Sequence, residues 1–202
     1  MARIETLVLI PESTRKAKGG TAEGAVDAVA KALPADAKAK LATLREEVRS
    51  KAPAGAVDGT AFLPAHLRFQ GNMYRHIPQE AWEDRRPGVE VLIVSGFYGL
   101  IASRDPVVRY EASMAEPFST LGKLNRWWHD CGLPEILQAY LKAVHPRSLV
   151  DLLSLEYREA VLGYAESLPG MSVKTVDFPG LGRGSQPRRG EKVAEILRAG
   201  QP

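Results

Sequence analysis

The stretch from Val91 to Met114, VLIVSGFYGLIASRDPVVRYEASM, constrains the fold more than any other part of this 202-residue chain. Val91, Leu92, Ile93 and Val94 form a short unbroken apolar run, the pattern of a central strand covered on both faces. Ser95 and Gly96 end the run. Tyr98, Gly99, Asp105, Arg109, Tyr110 and Glu111 then crowd polar groups into a span too short to hide them in a core. Ligands of α/β proteins gather beyond the carboxyl ends of such strands, so this turn is the first site candidate.

The rest of the chain places that strand in context. Glu5 to Ile10 reads as another buried strand, followed by a loop that closes at Gly19 and Gly20, where positive φ is free of steric cost. Helices are predicted from Ala25 to Leu33, with Thr21 and Gly24 a poor capping pair before it, and from a cap at Asp36 through Ala52. In the second, Leu41, Leu44 and Val48 recur at helical spacing while Lys40, Arg45, Glu46 and Glu47 face elsewhere. Pro53 to Thr60 has loop composition. Helices are predicted at Leu121 to Trp128, Leu133 to Val144, Glu156 to Glu166 and Gly190 to Ala199, and strands at Ser148 to Leu153 and Ser172 to Phe178. The alternation predicts an α/β fold, with mixed α+β the other possibility: residues 1–202 as one domain, a central and partly parallel sheet flanked by helices.

Composition excludes several classes. At 45% hydrophobic and 25% charged residues the chain has the make-up of a soluble globular protein. Its longest apolar runs, Leu7 to Ile10 and Val91 to Val94, are far shorter than the roughly 20 residues that cross a bilayer. MARIETLVLIPES has no signal-peptide core, and the expectation is a cytoplasmic protein without membrane contact. Cys131 stands alone, so no internal disulfide forms, and a thiol outside every motif reads as inert. His66, His76, His129 and His145 are scattered, which argues against a metal site, and no cofactor is expected.

The formal charge of +3 is modest, but its distribution is uneven. Arg15, Lys16 and Lys18 cluster near one end of the chain, and Arg183, Arg188, Arg189, Lys192 and Arg198 near the other. The loop Pro11 to Gly20 lies between a strand and a helix, where backbone N–H groups attract phosphate. It lacks the G-K-[ST] of a Walker loop, and its Ser13-x-x-Lys16 spacing has none of the companion motifs of acylating enzymes. Ser13, Lys16, Gly19 and Gly20 are therefore ligand-binding candidates, as are Ser95, Gly96 and Tyr110 at the central turn. Glu156 opens a helix after a second strand, which would bring it toward the same end of the sheet. Trp127 and Trp128 point to different faces of one helix, so at most one would stack on a ring.

Five segments together resemble the peroxide stress protein YaaA family. SGFYGL with the following Asp105, Tyr110 and Met114 is similar to the family's SG-x-YGL-D-Y-M series, and PESTRKAKGG at Pro11 to Gly20 resembles its P-x-S-x-x-K-x-x-GG opening. FLPAHLRFQGNMYRHI at Phe62 to Ile77 resembles the segment with an aromatic and then G-x-x-Y, ending here at Tyr74. Trp127 and Trp128 fall in an aromatic segment, and LLSLEYREAV at Leu152 to Val161 is similar to L-x-S-x-E-Y-x-x-A-V, which adds Ser154 and Tyr157 to the candidates.

The resemblance implies a YaaA-like fold and a protein that binds duplex DNA in a basic cleft and protects it against peroxide and iron. Lys16, Lys18, Arg188 and Arg189 would hold phosphates, and Leu181-Gly182-Arg183-Gly184 resembles the turn of a helix-hairpin-helix element. A second expectation arises from the polar cluster, which is denser than backbone binding needs: an enzyme acting on a nucleotide, nucleoside or base-like small molecule. There Asp105 or Glu156 would be general acid or base, with Tyr98 beside them, and Tyr98 and Tyr110 would stack on or hydrogen-bond the ring.

Overall fold

The computed structural model describes residues 3–23, 27–166, 168 and 170–201. Along the chain come β1 (Thr6–Pro11), α1 (Ala28–Ala32), α2 (Ala35–Ser50), β2 (Val57–Pro64), α3 (Ala65–Arg68), α4 (Asn72–Arg75) and α5 (Gln79–Glu83). Then follow β3 (Val89–Ser95), β4 (Gly99–Ala102), β5 (Pro106–Tyr110), α6 (Leu124–Asp130), α7 (Leu133–Val144), β6 (Ser148–Asp151), α8 (Leu155–Glu159), β7 (Ser172–Thr175) and α9 (Ser185–Ala199).

Five strands form one sheet in the order β4-β3-β1-β6-β7. β1 runs parallel to β3 and to β6, β6 parallel to β7, and only β4 is antiparallel, folded back on β3 from Ser95 opposite Gly99. The fold is α/β, as the alternating pattern predicts. Every residue of β1 is buried, and so are Val91 to Ser95 of β3, because helices cover the sheet and leave no polar face. The register sets the site: Pro11 lies beside Val94, so the residues that follow β1 and β3 emerge together at the carboxyl edge. β2 and β5 make a separate antiparallel ribbon in which Tyr110 faces Val57.

The helices carry apolar stripes into this sheet. α2 buries Leu41, Leu44 and Val48, as its spacing predicts, and packs on α7, whose Leu133, Ile136, Leu137, Tyr140 and Leu141 are buried. α9 begins at Ser185, earlier than the predicted Gly190, because Pro187 suits a first helical turn whose N–H groups have no partner anyway. Gly190 lets α9 press directly on the Met73 carbonyl of α4, where any Cβ would collide.

Other boundaries also differ from expectation. Half of the predicted Pro53 to Thr60 loop belongs to β2, held only by pairing with β5 across an irregular register between Asp58 and Leu63. The helix predicted over Glu156 to Glu166 keeps its α form only to Glu159, and Gly163 at φ +92° sits in the turns beyond it. The predicted start at Ala25, and Gly24 before it, lie outside the described residues; α1 is capped by Asp27, whose carboxylate accepts the Ala30 N–H at 2.9 Å.

Candidate functional site

The carboxyl edge of the sheet centres on Glu12, the first residue beyond β1. Its backbone N–H still donates to the Val94 carbonyl at 3.0 Å, so the strand geometry aims the side chain at the β3 turn. There its carboxyl accepts the Gly96 N–H at 2.7 Å and the Tyr110 hydroxyl, with the Tyr157 hydroxyl at 3.4 Å. Ser95 Oγ lies 2.8 Å from the Tyr110 hydroxyl and accepts the N–H groups of Phe97 and Tyr98 at 3.2 and 3.1 Å. Trp128, fully buried, donates its indole N–H to the Gly96 carbonyl at 2.8 Å and fixes the turn from behind.

Burial pushes the Glu12 carboxyl above its ordinary value, against the opposing pull of the nearby Lys16 charge and of the donors from Tyr110, Gly96 and Ser95. Lys16 enters across a bridge to Phe69, and its Nζ lies 3.9 Å from the centre of the Tyr110 ring. That nitrogen is shut off from solvent and has no hydrogen-bond partner. Burial moves the Lys16 ammonium below the usual lysine range, again against the neighbouring Glu12 charge. Both shifts favour a neutral acid beside a neutral amine.

Lys16 and Tyr110 form part of the wall of a cavity of about 320 Å³, shared with Thr14, Arg109, Ser113 and Phe118. Glu111 and Glu116 also line it, so the two cations are matched by two carboxylates. A larger cavity of about 710 Å³ lies by Arg3, Glu5, His145 and Arg147, at the amino ends of β1 and β6 and away from this chemistry. The smaller one is the better site, because it alone of the two meets buried, perturbed ionisable groups.

The expected residues divide clearly. Ser95, Gly96, Tyr110, Tyr157 and Lys16 belong to the cluster, and Tyr74 is one step away, its hydroxyl donating to the Pro11 carbonyl at 2.9 Å. Tyr98 touches the Tyr110 ring edge-on at 5.6 Å, but its hydroxyl is occupied by the Val108 N–H at 3.1 Å. Ser13 is buried against Gly71 and accepts the Arg15 N–H at 3.1 Å. Gly19 and Gly20, at φ +73° and +133°, turn the loop back so that Thr21 pairs with Phe62. Ser154 precedes α8, with its hydroxyl 3.3 Å from Glu156.

Asp105 stands apart. It lies in the turn between β4 and β5, beside the middle of β3, where Ser103 N–H meets the Val91 carbonyl at 2.9 Å. Its two oxygens accept the N–H groups of Ala28 at 2.7 Å and Ala102 at 2.9 Å, which ties α1 to the sheet. Burial raises its carboxyl to about 6. Glu156 is exposed, and α8 turns Tyr157 inward in its place.

Of the four expected phosphate ligands, Lys18 and Arg188 are exposed, Arg188 pairing with Glu191 at 2.9 Å. Lys16 is enclosed as described, and Arg189 is buried with Nε and Nη1 unpartnered and its guanidinium 5.5 Å from the Phe178 ring. Gly182–Gly184 is a single 3-10 turn leading into α9; the segment 176–181 before it is not helical, so a hairpin of two helices is not formed there. Among the described residues no three His, Cys, Asp or Glu side chains cluster as metal ligands, and no helix is long and apolar enough to cross a membrane.

A family model described as peroxide stress protein YaaA matches residues 10–186. The chain belongs to that family. The match carries with it a role in peroxide stress, and it spans every element of the Glu12 cluster. No curated protein matches the sequence. What sequence reasoning missed in this YaaA-family chain is Glu12 itself, together with Ser113 and Phe118 of the cavity. The available signal for Glu12 was a carboxylate placed just after the apolar run Leu7 to Ile10, inside a loop whose Ser13 and Lys16 drew attention instead.

Proposed function

We propose that this YaaA-family chain serves the peroxide-stress role by acting on a nucleoside- or base-like small molecule in the Lys16–Tyr110 cavity. The observation that carries the reading is the pairing of a fully buried Glu12 carboxyl with a Lys16 amine that has no acceptor, both meeting at one tyrosine on a cavity wall. An unpartnered buried amine costs stability, so a site that keeps one has a use for it. The balance of two cations and two carboxylates in the wall suits an uncharged ring rich in hydrogen-bonding groups better than a bare phosphate. Tyr110, held between Ser95 and Glu12, forms a path along which a proton moves between the buried acid and the cavity. Thermal-shift measurements with nucleosides, bases, nucleotides and inorganic phosphate test this. Stabilisation by nucleosides or bases that is lost in Glu12→Gln supports it, and a flat response across the panel overturns it.

Duplex DNA binding is the second reading, favoured by Arg15 and Lys18, exposed on the loop that follows β1, and by Arg188, exposed at the start of α9. It needs those surface cations and leaves Lys16 and Arg189 without a role in phosphate contact, because a duplex backbone cannot reach enclosed groups. Low-salt electrophoretic shifts should then weaken in Lys18→Glu and Arg188→Glu, with the log–log salt slope falling by about 1 per removed contact. Unshifted DNA at micromolar protein removes this reading.

A further inference from the structure

Lys16 is set apart from every exposed lysine of the chain by what surrounds its nitrogen. Nζ rests on the face of Tyr110 at 3.9 Å and 5.6 Å from the centre of the Phe69 ring, in a cage that offers it no hydrogen-bond acceptor. A lysine meant only to hold an anion, or to pair with Glu12, would be placed to donate; here the described residues hold no carboxylate within ion-pair distance of it. Lys16 is also one of the residues in the wall of the 320 Å³ cavity, with its nitrogen just behind that wall. Tyr110, whose ring it covers, carries the hydroxyl that reaches Glu12.

We infer that Lys16 is a covalent nucleophile that forms an imine with a small aldehyde bound in this cavity, a substrate class that rests on the small-molecule reading above. The neutral amine adds to the carbonyl carbon, forming the C–N bond, while the carbonyl oxygen takes a proton delivered through Tyr110 from Glu12. The nitrogen of this carbinolamine returns one proton to the same path. The C–O bond then breaks, and the hydroxyl leaves as water with that proton. One amine, one aldehyde and the Glu12 proton thus yield one protonated imine beside an ionised Glu12 and one water, and no electrons are gained or lost. Burial favours the first step, since it moves the Lys16 ammonium below the usual lysine range and so eases loss of its proton. Glu12, kept above its ordinary value by the same burial, supplies the acid.

The test is reductive trapping of the full chain with pyridoxal, a neutral aromatic aldehyde, and cyanoborohydride, read by peptide mass spectrometry. Lys16 should be labelled first, about tenfold faster than exposed Lys18 on the same loop, with Glu12→Gln slowing the labelling and Lys16→Met abolishing that adduct. An unlabelled Lys16, or labelling no faster than at Lys18, overturns the inference even if Lys16→Met fails to fold, because the wild-type measurement stands by itself. The two readings fail separately. Ligands that stabilise the wild type without trapping at Lys16 leave the binding site standing and remove only the nucleophile, whereas no stabilisation by any ligand removes the site.

Discussion

Two carboxylates end neighbouring parallel strands, and the fold treats them in opposite ways. Asp151 closes β6 and is 1% exposed, but its charge is met by the Arg158 guanidinium at 3.3 Å, by the Leu153 N–H at 2.9 Å and by the Tyr164 hydroxyl at 3.2 Å. Arg158 in turn reaches Asp177 at 3.0 Å, which links β6 to the segment after β7. Glu12 follows β1 and is buried too, at 5% exposed, yet it has hydroxyls and one N–H for company, and the nearest amine is turned onto an aromatic face. A buried acid with a guanidinium partner holds structure. One left to hydroxyls is pushed by burial toward its protonated form and remains available for chemistry.

Perturbing each centre should separate the two. The largest loss is expected for Asp151→Ala, which strands Arg158, Leu153 N–H and Tyr164: about 3 kcal/mol by urea denaturation, the low end for a broken buried pair because Arg158 is partly exposed. Asp105→Ala follows at about 2 kcal/mol, since two N–H groups lose their acceptor, with ligand response unchanged because Asp105 lies outside the cavity. Tyr110→Phe should cost about 1 kcal/mol of stability while removing the proton path, so ligand-dependent stabilisation and trapping fall together. Glu12→Gln is expected to be smallest in stability at neutral pH, near zero or slightly stabilising, because it removes a poorly solvated acid and keeps the shape.

The pH dependence sharpens the contrast. Native Glu12 holds its proton above the 4.5 of the unfolded chain, so stability falls as pH rises from 4.5 through the native value. Glu12→Gln should flatten that fall. Asp105 adds a similar decline between 3.8 and about 6, which Asp105→Ala removes. Lys16 acts in the reverse sense at the alkaline end: its native amine loses its proton earlier, so stability rises as pH climbs from the native value toward 10.5, and Lys16→Met abolishes the rise.

How much of this could be read from sequence depends on the range of the interactions. β1, β3, α2 and α7 announce themselves because apolar spacing over one element decides its face. β2 does not, since VDGTAFLP has no alternation and becomes a strand only through a distant partner, β5. In the site, Tyr110 and Ser95 were legible from local crowding of polar groups, and Lys16 from its place in a basic loop between a strand and a helix. Glu12 was not: its partners Tyr110 and Tyr157 are 98 and 145 residues away, and a lone carboxylate in a loop has no spacing to betray it. Asp105 shows the converse, a promising acid in a polar turn that is engaged as a helix-to-sheet tie.

The most direct measurement is a crystal structure grown with whichever nucleoside or base gives the largest thermal shift. The account predicts ligand density in the 320 Å³ cavity, against Lys16 and Tyr110 and within reach of Arg109 and Ser113. Density in the amino-end cavity beside Arg3 and His145, or on the open surface near Lys18 and Arg188, would contradict it.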